Sequence, residues 1–259
     1  MSELKKVYNY IRMLGLDPEK AVNTLRGLPP FIKDYQNLKS QMKPGNNDFP
    51  FGELIPCLED RFAESGIIEK HYFHQDLLAA RRIFLNKPVR HVDVGSRIDG
   101  FVAHVASFRE IEVFDIRPLE KKFSNIKFVQ VDFTKEIEKN LINYCDSISC
   151  LHALEHFGLG RYGDTVDYGG HVKGFNNLYK ILKSGGKFYF SVPMGKQRIE
   201  FNAHRVFSLN YLLSLLKGRF RIDQFSYVDD NNNLFENVEL TEENIRNNFT
   251  ASMAAQYLS

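Results

Sequence analysis

The sequence predicts an α/β fold: a doubly wound, mainly parallel β-sheet that ends in an antiparallel hairpin and follows an N-terminal helical extension. Two observations lead to this prediction. From about residue 74 onward, short β-branched runs alternate with amphipathic stretches, which is the pattern of right-handed βαβ crossovers. Near the carboxyl end, two apolar runs flank an Asn-rich turn and predict a hairpin at one edge of the sheet.

The first part of the chain has helical patterns and ends in a breaker-rich segment. Asp17-Pro18 indicates a helix start, and Pro29-Pro30 indicates a break before another helix. The segment from Lys43 to Cys57 is dense in Gly, Pro and Asn, which is typical of a linker or surface loop. We therefore expect a helical extension over residues 1–45, a linker over 46–73 and a larger domain over 74–259.

The larger domain shows alternating strand and helix patterns. In chain order we expect a helix over 74–85, a strand over 89–94, a helix over 101–107, strands over 111–114, 126–131 and 146–151, a helix over 172–182, a strand over 187–192, and hairpin strands over 222–228 and 234–238. Since parallel strands are connected through helices, both faces of this sheet should be covered.

Composition excludes several classes of protein. The chain has 259 residues, 43% of them hydrophobic, and its 34 Lys and Arg nearly balance 32 Asp and Glu, so we expect no nucleic-acid partner. Its three cysteines predict no disulfide framework, which fits a cytoplasmic protein. The N-terminus lacks an apolar signal segment, and no stretch approaches the roughly 18 apolar residues of a membrane span. We therefore expect neither secretion nor a membrane span.

The loop after the first strand reads Asp93-Val94-Gly95-Ser96-Arg97-Ile98-Asp99-Gly100, and ligands of doubly wound sheets bind at such loops. Gly95 would let the backbone approach a ligand closely. Arg97 occupies the second glycine position of the GxGxxG fingerprint, so a dinucleotide site is not indicated. Arg97 could instead pair with Asp99 and leave the loop shape intact. A purely structural strand-to-helix turn is the alternative.

Acidic residues end three consecutive predicted strands. Asp115 lies about 20 residues after the glycine loop, where a carboxylate can accept the hydroxyl groups of a ribose, and Asp132 ends the third strand, where an acid can contact an adenine edge. A helix cap or a solvated surface acid is the alternative for Asp115. Together with Asp93, these acids predict a nucleoside pocket rather than a pyrophosphate site.

On these residues, from about His91 to Val238, the sequence resembles the class I S-adenosylmethionine-dependent methyltransferases, which have a Rossmann-like sheet with a terminal antiparallel hairpin. Leu154-Glu155-His156 and Lys183-Ser184-Gly185-Gly186-Lys187 add to the resemblance. Arg97 and Asp99 depart from it, because many members carry glycine there. More narrowly, four segments resemble an uncharacterised methyltransferase-like family of unknown function, some of whose bacterial members are encoded among surface-polysaccharide genes: residues 72–77, 93–118, 158–164 and 202–205.

The resemblance implies S-adenosylmethionine as cofactor. The residues expected to bind it are Asp93, Gly95, Ser96, Arg97, Asp115, Ile116, Asp132, Phe133 and His152. It also implies a small-molecule acceptor, for which a sugar or glycan is our expectation.

Catalytic candidates cluster after the fourth strand, in a segment whose four glycines between Gly158 and Gly169 would let it fold over a pocket. His156 is the preferred general base, because histidine titrates near neutrality. Asp164 is a further catalytic candidate, and Arg161 and Tyr162 are candidates for substrate binding. Alternatively, Glu155 and His156 only orient the loop. His152 and His156 have i, i+4 spacing, but the order is not HExxH, so we expect no metal site.

A second polar cluster, Asn202-Ala203-His204-Arg205, follows the fifth strand on the expected acceptor side. His204 could serve as the base, and Arg205 could bind a carboxylate or phosphate through two parallel hydrogen bonds. A capped helix start before Ser208 is the alternative.

The leading hypothesis is a cytoplasmic S-adenosylmethionine-dependent methyltransferase that methylates a hydroxyl of a sugar, nucleotide-linked sugar or glycan intermediate in surface-polysaccharide synthesis. Two alternatives stay open: a nicotinamide-dependent dehydrogenase or epimerase, and a non-catalytic scaffold with a methyltransferase fold. Residues 1–45 could form a lid, an acceptor-docking element or the contact of a homodimer.

Overall fold

The computed structural model describes residues 3–41, 54–58, 62, 70–201, 203–241 and 254–258. The chain divides into two compact units, residues 1–68 and 69–259. Much of the predicted linker, residues 46–53, 59–61 and 63–69, lies outside the described residues, so the three-part division stays a prediction.

The first unit contains two helices, α1 (Glu3–Met13) and α2 (Pro18–Gln41). Asp17 precedes α2, and its Oδ1 accepts a hydrogen bond from the backbone N–H of Lys20 at 3.2 Å, which caps the helix. The predicted break at Pro29-Pro30 is wrong, because α2 continues through both prolines. Proline lacks the N–H that would bond four residues back, but in α2 the loss of two such bonds does not end the helix.

The second unit is a helix-covered sheet. It begins with α3 (Lys70–Asn86), and five parallel strands follow: β1 (His91–Val94), β2 (Ile111–Asp115), β3 (Ile126–Gln130), β4 (Cys145–Leu151) and β5 (Leu182–Ser191). Their spatial order is β3-β2-β1-β4-β5, with Val92 opposite Glu112 on one side and Ile148 on the other. The order reverses direction between β1 and β4.

Antiparallel strands continue the sheet beyond β5. The short strands β6 (Pro193–Met194), β7 (Arg198–Glu200) and β8 (His204–Val206) follow β5 in the chain, and β9 (Phe225–Val228) and β10 (Leu234–Phe235) form the predicted hairpin at the sheet edge. The last strand, β11 (Ala254–Leu258), inserts between β5 and β9 and pairs antiparallel with both. This Rossmann-like arrangement confirms the predicted fold class.

Helices cover both faces of the sheet. A π-helical turn (Ile98–Val102) runs into α4 (Ala103–Ala106), and both pack with α3 on one face; α5 (Gly170–Ile181) and α6 (Leu209–Leu216) pack on the other. Alternate strand residues serve the two sides, so Val113 packs toward α3 while Phe114 packs toward α5. The helices therefore leave the carboxyl ends of the strands as the open edge. No helix among the described residues is long and apolar enough to cross a membrane.

Candidate functional site

A cavity of about 530 Å³, including its open mouth, lies at the carboxyl ends of β1, β2, β3 and β4. We call it the strand-end cavity. Its walls are largely apolar, and they include Val94, Ile116, Val131, Phe133, Ala153 and Phe157. Polar groups from Asp115, Asp132, Thr134, His152 and Asp164 also line it. An apolar slot with a few polar side chains is the usual form of a small-molecule site.

A second cavity of about 830 Å³, which we call the polar cavity, adjoins the first. The two share five wall residues: Gly95, Arg117, His152, His156 and Tyr162. Hydrogen-bonding side chains line most of the remainder: Tyr72, Gln75, Asp76, Ser96, Arg97 and Asp99. One ligand could therefore extend from an apolar compartment into a polar one.

Gly95 forms the turn at the boundary between the two cavities. Its φ is +80°, a conformation that favours glycine, and its N–H donates to the carbonyl of Phe114 at 3.0 Å. A Cβ at this position would approach the Cβ of Ala153 to 2.8 Å. The absence of a side chain therefore lets the loop pack closely against Ala153.

Asp93 is fully buried and lines neither cavity. Its Oδ2 accepts from the Ser96 N–H at 3.0 Å, while its Oδ1 accepts from the hydroxyls of Ser96 at 2.9 Å and Ser149 at 2.5 Å. Burial raises the pKa of Asp93 to about 7, and the hydrogen bonds oppose that rise. The structure thus places Asp93 beneath the loop, where it fixes the position of Ser96.

Arg97 pairs with Asp99 within the loop. The guanidinium Nε and Nη2 donate to the two carboxylate oxygens at 3.0 and 2.8 Å, and both side chains are exposed. The structure therefore forms the local pair that the sequence allowed. Gly95 keeps its positive φ beside it.

Asp115, the predicted ribose acid, is engaged by its neighbour two residues on. The Nε and Nη2 of Arg117 donate to its two oxygens at 3.0 and 2.6 Å, and the Arg117 N–H donates to Oδ1 at 2.8 Å. The guanidinium also lies 4.7 Å from the centroid of the Tyr162 ring. Arg117 therefore stands between the two cavities and competes for the oxygens that a ribose would need.

Asp132 and Phe133 lie where the sequence placed them, at the far wall of the strand-end cavity. Phe133 is buried, and Asp132 accepts from the N–H and hydroxyl of Thr134 at 2.9 and 2.6 Å through Oδ1. Oδ1 is therefore used within the turn. The Oδ2 atom lies 3.5 Å from the Lys135 ammonium, which is itself largely exposed.

His152 follows β4 with φ +50° and lies on the wall shared by the two cavities. Its Nδ1 is 3.0 Å from Oε1 of Glu155, and its ring stacks on His71 at 4.4 Å. Burial lowers the pKa of His152 to about 3 and raises the pKa of Glu155 to about 7. Among the described residues, the Nε2 of His152 and the Oε2 of Glu155 have no hydrogen-bond partner.

His156 also lines both cavities. Its Nδ1 lies 2.7 Å from the carbonyl oxygen of Ala203, which accepts only if Nδ1 carries the hydrogen. The Nε2 is therefore an acceptor, and it lies 3.9 Å from Oε1 of Glu155. Burial lowers the pKa of His156, so the ring is neutral near pH 7.

The loop after His156 is held by its own backbone contacts. Oδ2 and Oδ1 of Asp164 accept from the N–H groups of Gly158 at 2.6 Å and Tyr162 at 3.3 Å, so this predicted catalytic acid closes the loop while lining the strand-end cavity. Tyr162 faces both cavities. Arg161 lines neither, because its guanidinium donates to the carbonyl of Ala203 at 2.9 Å.

The second polar cluster lies outside both cavities. His204 begins β8 and lies 4.0 Å from Glu200, while Arg205 is buried and donates to backbone carbonyls of Glu155, Phe157, Asp167 and Tyr168. The proposed roles of His204 as base and Arg205 as substrate clamp therefore find no support in this geometry: the Arg205 donors are used on the loop. Asn202 lies outside the described residues, and Ser208 caps α6.

Sequence reasoning did not assign a role to several wall residues. α3 brings Tyr72, Gln75 and Asp76 to the polar cavity, and the Gln75 Oε1 accepts from Ser191 at 2.6 Å. Burial raises the pKa of Asp76. The sequence feature that could have indicated these wall residues is the pair of adjacent polar residues Gln75-Asp76 in the predicted helix over 74–85. Within the described ranges, no three His, Cys, Asp or Glu side chains are grouped to hold a metal ion.

Several solved structures are similar to this chain. Similar solved structures include 1,6-didemethyltoxoflavin-N1-methyltransferase of Burkholderia thailandensis, at 12% identity and a TM-score of 0.47 over 94% of this chain and 91% of that one. An S-adenosylmethionine-dependent methyltransferase of Clostridium acetobutylicum aligns at 14% identity and a TM-score of 0.45, over 72% and 90%. The [4+2]-cyclase SpnF aligns at 17% and 0.46, over 61% of this chain and 60% of that protein.

No curated protein matches the chain at a significant level. A family model matches residues 102–257, which is more than half of the sequence. The chain therefore belongs to the family described as Caenorhabditis protein of unknown function, DUF268.

Proposed function

We propose that this chain is an S-adenosylmethionine-dependent methyltransferase that acts in the cytoplasm on a hydroxyl of a sugar, nucleotide-linked sugar or glycan intermediate in surface-polysaccharide synthesis. The observation that supports it most is the position of the strand-end cavity. It lies where the strand order reverses between β1 and β4, at the carboxyl ends of the strands, and doubly wound sheets bind nucleosides at this point.

The residues present fit the cofactor. The apolar walls of the strand-end cavity, with Phe133 and Ile116, suit a flat adenine ring, and Asp132 lies at its edge. Asp115 is the acid that would accept the ribose hydroxyls once Arg117 moves aside. Gly95 lines both cavities with backbone atoms alone. When bound, S-adenosylmethionine supplies an electrophilic methyl group on a sulfonium.

The polar cavity suits a hydroxyl-rich acceptor. Gln75, Asp76 and Ser96 offer hydrogen-bonding groups on its walls, and the rings of Tyr72 and Tyr162 offer stacking surfaces. Alignment of acceptor and methyl group can contribute roughly 7–11 kcal/mol to catalysis, and a base adds about 10²–10⁴-fold for a weakly acidic hydroxyl. His152 and His156 lie on the wall shared by the two cavities, which supports a role for either ring as the base that takes the acceptor proton.

Calorimetric titration with S-adenosylhomocysteine, S-adenosylmethionine and NAD tests the cofactor assignment. We expect micromolar binding of the first two and none of NAD. Asp115→Ala should weaken binding at least tenfold, whereas the control Glu110→Ala, at an exposed acid that lines neither cavity, should change it less than threefold. Heat from NAD alone would favour a dehydrogenase. Labelled methyl transfer to a panel of nucleotide sugars then tests the acceptor, and light scattering tests the homodimer.

One observation favours a second candidate, a non-catalytic binding protein. The Arg117 guanidinium takes both oxygens of Asp115, and in a scaffold this pair would hold the nucleoside site permanently closed. One binding experiment distinguishes the two candidate functions. If the chain is a scaffold, S-adenosylhomocysteine should bind to Arg117→Ala but not to the native chain. A methyltransferase predicts binding to both.

A further inference from the structure

Glu155 lies between two imidazoles, in a buried polar cluster of the site. Its Oε1 is 3.0 Å from Nδ1 of His152 and 3.9 Å from Nε2 of His156, and the carboxyl is 1% exposed. Its contacts with the two rings are not equivalent. The first distance is a hydrogen bond, whereas the second exceeds the hydrogen-bonding range.

His152 has the geometry of an oriented base. An ionised carboxylate on Nδ1 keeps the hydrogen on that nitrogen and leaves Nε2 as the acceptor. That Nε2 is buried, has no partner among the described residues, and belongs to a ring on the wall shared by the two cavities. A buried acceptor without a hydrogen bond costs free energy. A ligand that donates a hydrogen bond to this Nε2 would remove that cost.

His156 has a different geometry. Its Nδ1–H is used on the carbonyl of Ala203, and its Nε2 lies 3.9 Å from Oε1 of Glu155, beyond hydrogen-bonding distance. The carboxyl thus orients His152 and makes no hydrogen bond to His156.

We propose, building on the proposed methyltransferase activity, that His152 is the general base for the acceptor hydroxyl and that Glu155 is its positioning residue. As the acceptor oxygen bonds to the methyl carbon, the carbon–sulfur bond breaks and its electron pair stays on the sulfur. The hydroxyl proton goes to Nε2 of His152, while the second proton of the pair stays between Nδ1 and Oε1 of Glu155. The pair gains one proton and later releases it to water.

Burial suits the pair to this task. With Glu155 ionised and His152 neutral, the pair carries one buried negative charge, and a proton taken up at Nε2 removes that charge. Uptake should therefore occur near pH 7, whichever of the two residues finally holds the proton. The ionisable groups that face the pair come from four places: His71 and Tyr72 from α3, Cys150 from β4, His156 and Arg161 from the following loop, and His204 and Arg205 from β8.

Long-range ¹H–¹⁵N NMR of the full chain, labelled on its histidine rings, tests the proposal without an acceptor. The His152 signal is assigned by its loss in His152→Asn, since asparagine tolerates the positive φ at this position. We expect Nε2 to be unprotonated above pH 8 and to become protonated between pH 8 and 6. In Glu155→Gln, this transition should leave that range, because the carboxylate that attracts the proton is gone.

The matched control is Glu200→Gln, which removes the carboxylate near His204 and should leave the His152 transition unchanged. Glu155→Gln should also bind S-adenosylhomocysteine within about threefold of the native affinity. An Nε2 that carries a hydrogen throughout pH 6–9 in the native chain would overturn the proposal, as would a transition that Glu155→Gln does not move. If Glu155→Gln does not fold, the native protonation state alone decides. Failure of the native chain to bind S-adenosylhomocysteine would instead overturn the proposed function.

Discussion

Arg117 and Asp115 form a two-pronged ion pair at the mouth of the strand-end cavity, with N–O distances of 3.0 and 2.6 Å. The pair holds the carboxylate in position, and it also occupies the oxygens that a ribose diol would use. Ligand binding at this site must therefore exchange hydrogen bonds at Asp115. The Arg117 guanidinium can move away from Asp115, because the side chain is 44% exposed and already contacts the Tyr162 ring.

Arg117→Ala should therefore tighten the binding of S-adenosylhomocysteine. Removing a competitor that makes a partly exposed ion pair should strengthen binding by about 2–10-fold, which corresponds to roughly 0.4–1.4 kcal/mol. Calorimetry measures the change, with Arg81→Ala as control because Arg81 pairs with Glu236 and lines neither cavity. Binding weakened more than tenfold in Arg117→Ala would instead mean that Arg117 itself contacts the ligand.

Gly95→Ala should lower the free energy of unfolding more than Gly185→Ala, which introduces a similar backbone strain. Both Gly95 and Gly185 have φ near +80°, but a Cβ on Gly95 meets Ala153 at 2.8 Å whereas one on Gly185 has nothing within 4 Å. The close approach should cost about 1–3 kcal/mol beyond the backbone strain. Urea unfolding of Gly95→Ala and Gly185→Ala measures the difference. Equal losses would show that the loop yields freely and that the close approach is not a constraint.

Stability should fall between about pH 4 and pH 7 because of buried carboxyls. Burial raises the pKa of Asp93 to about 7, so the folded chain keeps a proton that the unfolded chain releases near pH 4. Folded-state stability is thus complete below pH 4, declines as the pH rises to 7, and is level above it. Asp93→Asn should remove roughly 2–4 kcal/mol of this decline, measured by urea unfolding at several pH values.

Asp223→Asn is the control for this pH dependence. Hydrogen bonds from Lys187 and Arg221 lower the pKa of Asp223, so its contribution is lost only as the pH falls below about 4. The variant should leave the decline between pH 4 and 7 intact. An unchanged decline in Asp93→Asn would mean that Asp93 is ionised in the folded chain throughout this range.

Arg205→Ala should destabilise the loop that covers the site. Its guanidinium donates to four backbone carbonyls of residues 155–168, with the shortest contact at 2.6 Å to Phe157. Loss of these buried bonds should cost about 2–4 kcal/mol, and Arg205→Lys should not restore it, since one ammonium cannot reach four carbonyls. The control Arg198→Ala, at an exposed pair with Glu200, should cost less than about 1 kcal/mol.

The melting temperatures of these variants decide between the two roles of Arg205. If Arg205→Ala is as stable as the native chain, the guanidinium is free to bind a ligand, and the sequence-based role as a substrate clamp returns.

Much of the sheet follows from local sequence patterns. The β-branched runs at Val92-Asp93-Val94 and Ile111-Glu112-Val113 predict buried parallel strands, because few other structures accommodate such short apolar segments. β11 could not be predicted, because its residues Ala254–Leu258 carry no strong alternation; the pairing with β5 and β9 forms it. The helix break predicted at Pro29-Pro30 does not form. The prediction considered only the hydrogen bonds that proline removes locally, and not the rest of the helix.

The site shows the same limit. Positions at strand ends, such as Asp115 and Asp132, can be predicted because topology alone brings them together. The partners of those residues cannot: the pairing of Arg117 with Asp115 depends on the turn between them, and the burial of Arg205 depends on where β8 meets a distant loop. The pair of Arg97 and Asp99 is predictable because both lie in one short loop.

Hydrogen exchange with mass spectrometry shows whether the strand-end cavity binds a nucleoside. With saturating S-adenosylhomocysteine, we expect slower amide exchange in peptides that cover residues 93–100, 114–118 and 131–134, and no change with NAD. Slower exchange confined to other parts of the chain, or none in a chain that unfolds cooperatively, would contradict the account.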